Sequence, residues 1–421
     1  MRGRKEVVKN SLFKRLLSVS ALTLLCVPAA LAAPDGRWVQ SWASSPSLNL
    51  EKLPFDFWRP PAEVQGTLRY KMRITAAGDE VRVRLSAETL PTDVQVSAVT
   101  IALADAAGNL DSKSVAPLHF SGGTAARIAA GAPLVSDPLP LQVAAGAIVY
   151  VTLHLPAPVT IPQADPLHVV EVAAGGDQTR AAKLTGGRVE TGREIVSAIL
   201  VRATKRARTI VTFGDSITDG TGAKDAKMRG WPDQLAALLR QKGQNDVAIA
   251  NAGIAGNRVL RDEMGPAALA RFDRDALSVP GVTDIVLLEG INDLGLSGLE
   301  NPRGPGHHPV VTAADLIAGY RQLIARAKAR GVKIHGATLT PFLGSPFPGY
   351  ATPEKEVVRQ ELNRWIRTSG EFDSVIDFDA AVRDSADPQR INPAYDSGDK
   401  LHPSDAGYRA MAETALGVLL K

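Results

Sequence analysis

The sequence predicts two folded regions in series: an all-β sandwich or jelly roll, then a three-layer α/β/α domain on a mostly parallel sheet. Between about Gly36 and Arg202, short stretches alternate apolar and polar residues and are separated by clusters of Gly, Pro, Asp and Asn, as half-buried strands joined by turns require. Beyond Arg208, apolar runs alternate with segments whose apolar residues recur at helical spacing, the pattern of parallel strands joined by crossover helices. With 421 residues, the chain is long enough for two cores.

Residues 1–33 read as a secretory signal peptide. Arg2, Arg4, Lys5, Lys9, Lys14 and Arg15 precede an apolar stretch from Leu16 to Leu31, which ends in small residues with cleavage expected near Ala32/Ala33. Ser18, Ser20, Thr23 and Pro28 interrupt the stretch, which is short for a bilayer span, so cleavage is expected rather than anchoring. Leu24 and Leu25 stand before Cys26 where a lipidation site needs small residues. The expected destination is secreted or periplasmic, without stable membrane association.

Cleavage changes the charge balance. The 48 basic residues lose six and the 44 acidic residues lose one, Glu6, which leaves a balance near −1 and no basic patch that argues for nucleic acid. Cys26 is the only cysteine, so the remainder cannot rely on disulfides and must draw stability from buried apolar surface.

The β region is assigned to residues 36–202. Leu68, Tyr70, Met72 and Ile74 alternate with polar residues, as do Val81, Val83 and Leu85, so each run should bury one face. Further runs lie at Val94 to Leu103, Ile148 to Leu155 and Val169 to Ala173. The tryptophans of Trp38-Val39-Gln40-Ser41-Trp42 are expected in a core or between domains, with sugar stacking as the alternative.

Lys205-Arg206-Ala207-Arg208 reads as a basic hinge into the second domain, residues 206–421. Its predicted strands are Thr209 to Phe213, Val247 to Ala250, Asp284 to Leu288, Val332 to Leu339 and Ser374 to Phe378. Pro232 starts a helix that Gly243 stops, and Leu316, Tyr320, Leu323, Ile324 and Ala327 line one face of another before Gly331. Thr352-Pro353-Glu354 and Ser404-Asp405 are further helix starts.

Open parallel sheets bind ligands beyond the carboxyl ends of their strands. Four predicted strands run there into unusual turns: Gly214-Asp215-Ser216, Asn251-Ala252-Gly253-Ile254-Ala255-Gly256-Asn257, Glu289-Gly290-Ile291-Asn292-Asp293 and Thr340-Pro341-Phe342. Asp399-Lys400-Leu401-His402 arrives from the turn before the final helix. A serine hydroxyl becomes a useful nucleophile when a histidine takes its proton and a carboxylate fixes the histidine's tautomer. Ser216 and His402 supply the first two groups. Asp399, three residues before His402, is the preferred carboxylate, with Asp396 and Asp405 also near in sequence.

These blocks resemble the GDSL or SGNH hydrolase family over about residues 208–421. Ser216 matches the nucleophile of the Gly-Asp-Ser block, Gly256 the glycine of the second block, Asn292 the asparagine of the Gly-x-Asn-Asp block, and Asp399 with His402 the final Asp-x-x-His. The resemblance implies a flavodoxin-like hydrolase domain. It also implies a Ser216–His402–Asp399 triad, with an oxyanion hole from the Ser216 and Gly256 backbone amides and the Asn292 side chain. Gly256 is expected to permit close approach of the ligand by lacking a Cβ. The Trp-Val-Gln-Ser-Trp opening, the β-rich first region and Gly-Asp-Ser-Ile-Thr-Asp-Gly resemble a secreted bacterial branch grouped with acetylxylan esterases.

Asp215 and Asp293 are expected to brace the blocks by accepting from nearby amides. His119, His154, His168, His307, His308 and His335 lack metal-ligand spacing beyond the adjacent His307-His308 pair, which is expected to be solvated, so neither metal nor cofactor is predicted. A phosphate loop or dinucleotide fingerprint fails because no Gly-Lys-Ser/Thr follows Gly214 and Gly220-Thr221-Gly222 lacks a third glycine. Ser216 is also outside the Gly-x-Ser-x-Gly setting of the α/β-hydrolase elbow. The expected partner is a small-molecule or polysaccharide ester, chiefly a short acyl one. The alternatives are lysophospholipase or thioesterase activity, or a non-catalytic polysaccharide-binding protein.

Overall fold

The computed structural model describes residues 36–48, 62–162, 168–192, 195–225, 228–301 and 304–420; the predicted signal segment at 1–33 lies outside them. The alternating runs of the β region do bury one face. Leu68, Tyr70 and Met72 from one strand and Val81, Val83 and Leu85 from another belong to a single apolar cluster. They come from two antiparallel sheets. One orders its strands Gly36–Ala43, Val196–Thr204, Gly78–Ser86 and Pro133–Val135, with Leu139–Val143 also on Gly78–Ser86. The other orders Arg188–Thr191, Val169–Ala173, Ala62–Arg73, Ile148–Ile161, Ala98–Leu103 and Ala116–Pro117. Trp42 is buried in their shared cluster, and half-buried Trp38 lies under the Arg82 guanidinium, 5.0 Å from the ring centroid.

The second region is built on five parallel strands: β1 (Arg208–Gly214), β2 (Val247–Gly253), β3 (Val282–Leu288), β4 (Lys333–Ala337) and β5 (Ser374–Ile376). Their spatial order is 2-1-3-4-5, the flavodoxin-like doubly wound arrangement. Ile210, Val211, Phe213, Ile285, Val286 and Leu287 are fully buried, as strands covered on both faces require. The helices are α1 (Ser216–Asp219), α2 (Gly230–Gln241), α3 (Ala268–Phe272), α4 (Ile291–Leu296), α5 (Ala313–Ala329), α6 (Pro353–Thr368), α7 (Phe378–Val382) and α8 (Asp405–Leu419). Two pairs, α2 with α8 and α5 with α6, flank the sheet. Thr312 and Asp315 form a reciprocal capping box at the start of α5, Thr352 caps α6 with Pro353 in its first turn, and Ser404 caps α8.

The basic hinge is a tight turn. Ala207 N–H donates to Thr204 O, and Ala207 is fully buried, so the chain passes from strand to strand with no free linker. Residues 36–421 accordingly form one compact unit. Thr75 Oγ1 hydrogen-bonds both Ile249 N and Ile249 O, Gln40 N–H donates to Thr209 Oγ1, and Ala248 of β2 joins the apolar cluster of the β region. The β region thereby covers an edge strand that would otherwise be open.

Candidate active site

Strand β1 delivers the chain into α1, and Asp215 caps that helix by accepting Ile217 N–H on Oδ1 at 2.9 Å. Ser216 is the first helical residue, where a backbone N–H has no partner within the helix. Its hydroxyl lies 2.8 Å from His402 Nε2. His402 Nδ1 lies 2.6 Å from Asp399 Oδ2, while Asp399 Oδ1 accepts the backbone N–H groups of His402 and Leu401. The carboxylate thus holds both the ring and the loop that carries it. Burial opposes ionisation of Asp399, but the His402 hydrogen bond and charge together with these amides outweigh it and keep the carboxyl well below its usual range.

Asp399 is therefore the carboxylate that meets the imidazole. Asp396 instead accepts from Gly398 N–H, Lys400 N–H and the Lys400 ammonium, and Asp405 accepts from Lys224 and Asp225 N–H. Lys400, between Asp399 and His402, is one of the few non-glycine residues with positive φ, at 61°. The Asp396 bonds hold it there.

Gly256 and Asn292 come from the turns after β2 and β3. Gly256 has φ +72°, and an added Cβ would stand 2.2 Å from Met264 Sδ. Its missing side chain makes room for Met264 and permits the left-handed backbone. Asn292 Nδ2 donates to Asn257 O at 2.9 Å, and Asn292 Oδ1 accepts from Tyr350 OH at 2.8 Å. Among the described residues, the Ser216 and Gly256 backbone N–H groups and the second Nδ2 hydrogen of Asn292 have no acceptor. Ser216, Asn292 and His402 are each 6–7 % exposed, so solvent reaches the group only narrowly.

The bracing aspartates sit as expected. Asp293 accepts Val259 N–H at 2.7 Å and Leu260 N–H at 3.1 Å, which ties the third block to the second. Both are fully buried. Burial pushes the Asp293 carboxyl up to about 6 despite Arg258. It pushes Asp215 up to about 7 against the pull of Ile217 N–H and His402, and holds Glu289 well above its usual range.

Three residues that sequence reading passed over complete the frame. Arg271, buried in α3, donates to Gly214 O, Ala252 O and Asn257 Oδ1 and approaches Glu289, and so joins the first three blocks. His168, from the β region, pairs through Nε2 with Asp219 of α1 at 2.9 Å, and Arg229 approaches its Nδ1. Tyr350 holds Asn292. Tyr350 and His168 have no local marker because their partners are remote in sequence, and of the Arg271 partners only Asp275 is close by. The His307-His308 pair corrects the expectation of a solvated loop: His307 is exposed, but His308 is buried with Nδ1 3.1 Å from Arg258 Nη1. The described residues contain no group of three or more His, Cys, Asp and Glu side chains disposed to hold a metal ion.

A parallel sheet of this order with a hydrogen-bonded serine, histidine and aspartate at its carboxyl edge defines an SGNH-type α/β hydrolase domain. Residues 212–410 match the model of the GDSL-like lipase/acylhydrolase family. No curated protein matches the chain significantly. Among solved structures, it is similar to the acetylxylan esterase Axe2 of Geobacillus stearothermophilus, with 22% identity, 50% of this chain and 93% of that one covered, and a TM-score of 0.38. It is also similar to a lipase/acylhydrolase from Enterococcus faecalis (20% identity, 50% and 94% covered, TM-score 0.37). A third is a GDSL-like lipase from Bacteroides thetaiotaomicron (19%, 52% and 90%, 0.36).

Proposed function

We propose that this chain is a serine carboxylic ester hydrolase acting on short acyl groups, chiefly acetyl esters and among them those on plant polysaccharide. One observation carries the reading: Ser216 Oγ, His402 and Asp399 form a continuous hydrogen-bonded chain at 2.8 and 2.6 Å. In the proposed mechanism, Ser216 Oγ attacks the ester carbonyl while His402 Nε2 takes its proton, and Asp399 stabilises the imidazolium. The imidazolium returns the proton to the leaving alcohol, and water, activated by the same nitrogen, then releases the acyl group from Ser216. The alkoxide formed in each half-reaction is assigned to the Ser216 and Gly256 amides and the free Asn292 N–H.

The short-acyl choice draws support from the surface. Among the described residues, the exposed large apolar side chains are five valines and one leucine, with no aromatic ring to build an interfacial lipid-binding face. The same proposal places the mature chain in the periplasm or outside the cell, on the basic and then apolar leader.

A series of p-nitrophenyl esters tests the reading, with acetate release from acetylated xylan as the companion measurement. Turnover should be greatest at about four carbons or fewer and should vanish in Ser216→Ala. A maximum at long chains would point instead to lysophospholipase-type or thioesterase-type substrates. A protein inert to every ester but retained by polysaccharide would support the binding role.

A further inference from the structure

The Asn292 amide offers two N–H donors and an acceptor oxygen, and one donor and the oxygen are engaged. Asn257 O can only accept, so it selects Nδ2 as the atom facing it, and Tyr350 OH then meets Oδ1 as a donor. Only one N–H is left. Turning the amide over would set Oδ1 against the Asn257 carbonyl, so the two bonds together admit one orientation and direct the remaining N–H along one line.

The tyrosine is itself held on every side. Its ring lies on α4 at Gly295, where an added Cβ would stand 2.0 Å from Tyr350 Cε2. Phe342 and Phe347 meet it edge-on at 6.1 and 5.9 Å. Lys355 Nζ donates to both Gly295 O and Gly349 O at 2.7 Å, which clips the Tyr350 loop to the helix that carries Asn292. Burial keeps the phenol protonated, so it remains a donor.

We propose that Tyr350 is a positioning residue that presets the Asn292 side chain as an oxyanion donor, and that the Gly295–Lys355 contacts dock its loop for that purpose. The inference rests on the proposed esterase reading. It makes the 341–352 segment part of the machinery.

The test is Tyr350→Phe, which keeps the ring and removes only the hydroxyl, combined in a double-mutant cycle with Asn292→Ala. Because the donor acts on charge that develops in the transition state, kcat should fall roughly tenfold while KM stays within about twofold. On the Asn292→Ala background, Tyr350→Phe should change kcat by less than about twofold, because the group it orients is gone. Lys355→Met, with Tyr350 intact, should show a smaller kcat loss that also vanishes on that background. A silent Tyr350→Phe, or an equal loss on both backgrounds, would overturn the inference. Failure of the esterase reading has a separate signature: turnover that survives Ser216→Ala would reject that reading, whereas Ser216-dependent turnover with a silent Tyr350→Phe would reject only the positioning role.

Discussion

At the scale of single residues, a small set of side chains is pre-set by bonds to its own loops and to neighbouring turns. Asp399 carries the clearest burden. One oxygen takes the His402 ring and the other takes two backbone amides of the same loop. Asp215 does a different job, because its fully buried carboxyl is raised to about 7 by desolvation. In the folded chain it keeps a proton that the unfolded chain releases near pH 4, so its contribution is complete below about pH 4 and is lost as pH rises through about 7. Asp215→Asn preserves the acceptor for Ile217 N–H and removes the titration. The melting temperature of the wild type should therefore drop more between pH 5 and pH 8 than that of the variant, and parallel curves would contradict the assignment. Ser216, Gly256, Asn292, Asp399 and His402 were legible in the sequence because each sits in a short motif just past a predicted strand or before a predicted helix. Tyr350, Arg271 and His168 were not. Their partners Asn292, Gly214 and Asp219 lie 58, 57 and 51 positions away, and no periodicity spans such gaps.

At the scale of elements, strands and long helices followed from apolar pattern and caps, and their ends moved where another bond competed. Val332 to Leu339 was expected as one strand, but β4 stops at Ala337. Leu339 N–H is taken by Asn363 Oδ1 of α6. Ser374 to Phe378 shortens to Ser374–Ile376 because Asp377 caps α7. Helices α1, α3, α4 and α7 contain four to six residues, too few for a period of 3.6 to show. Arg271, on one of these, stitches the turns after β1, β2 and β3 together. Replacing it by Met would remove one donor from each of Gly214 O, Ala252 O and Asn257 Oδ1 and leave Asp275 and Glu289 without its charge. Arg271→Met should lose about 3 kcal/mol or more in denaturant unfolding, with activity lost alongside. A variant as stable as the parent would show that the stitch is dispensable.

At the scale of the whole molecule, the two regions read from the sequence share more than a boundary. The composition change near Lys205 was visible, but not the Thr75–Ile249 bonds, the burial of Ala248, or the His168–Asp219 pair that reaches from the β region to the Ser216 turn. These contacts join residues distant in sequence and give no signal in either segment alone. The β region is thus a cover for the β2 edge and a support for α1. Residues 206–421 expressed alone should be less soluble and melt lower than the full chain, because Ala207, Ala248 and the β2 edge would face water. A fragment with full stability and activity would show that the region serves another purpose.

In the proposed mechanism Ser216, His402 and Asp399 act together as a nucleophile, and covalent trapping reads that reactivity without any choice of ester. A fluorophosphonate probe should label the full-length protein once, on the peptide containing Ser216, with labelling abolished in Ser216→Ala and strongly slowed in His402→Ala. Intact protein that stays unlabelled, or a probe recovered on another residue, would contradict the account.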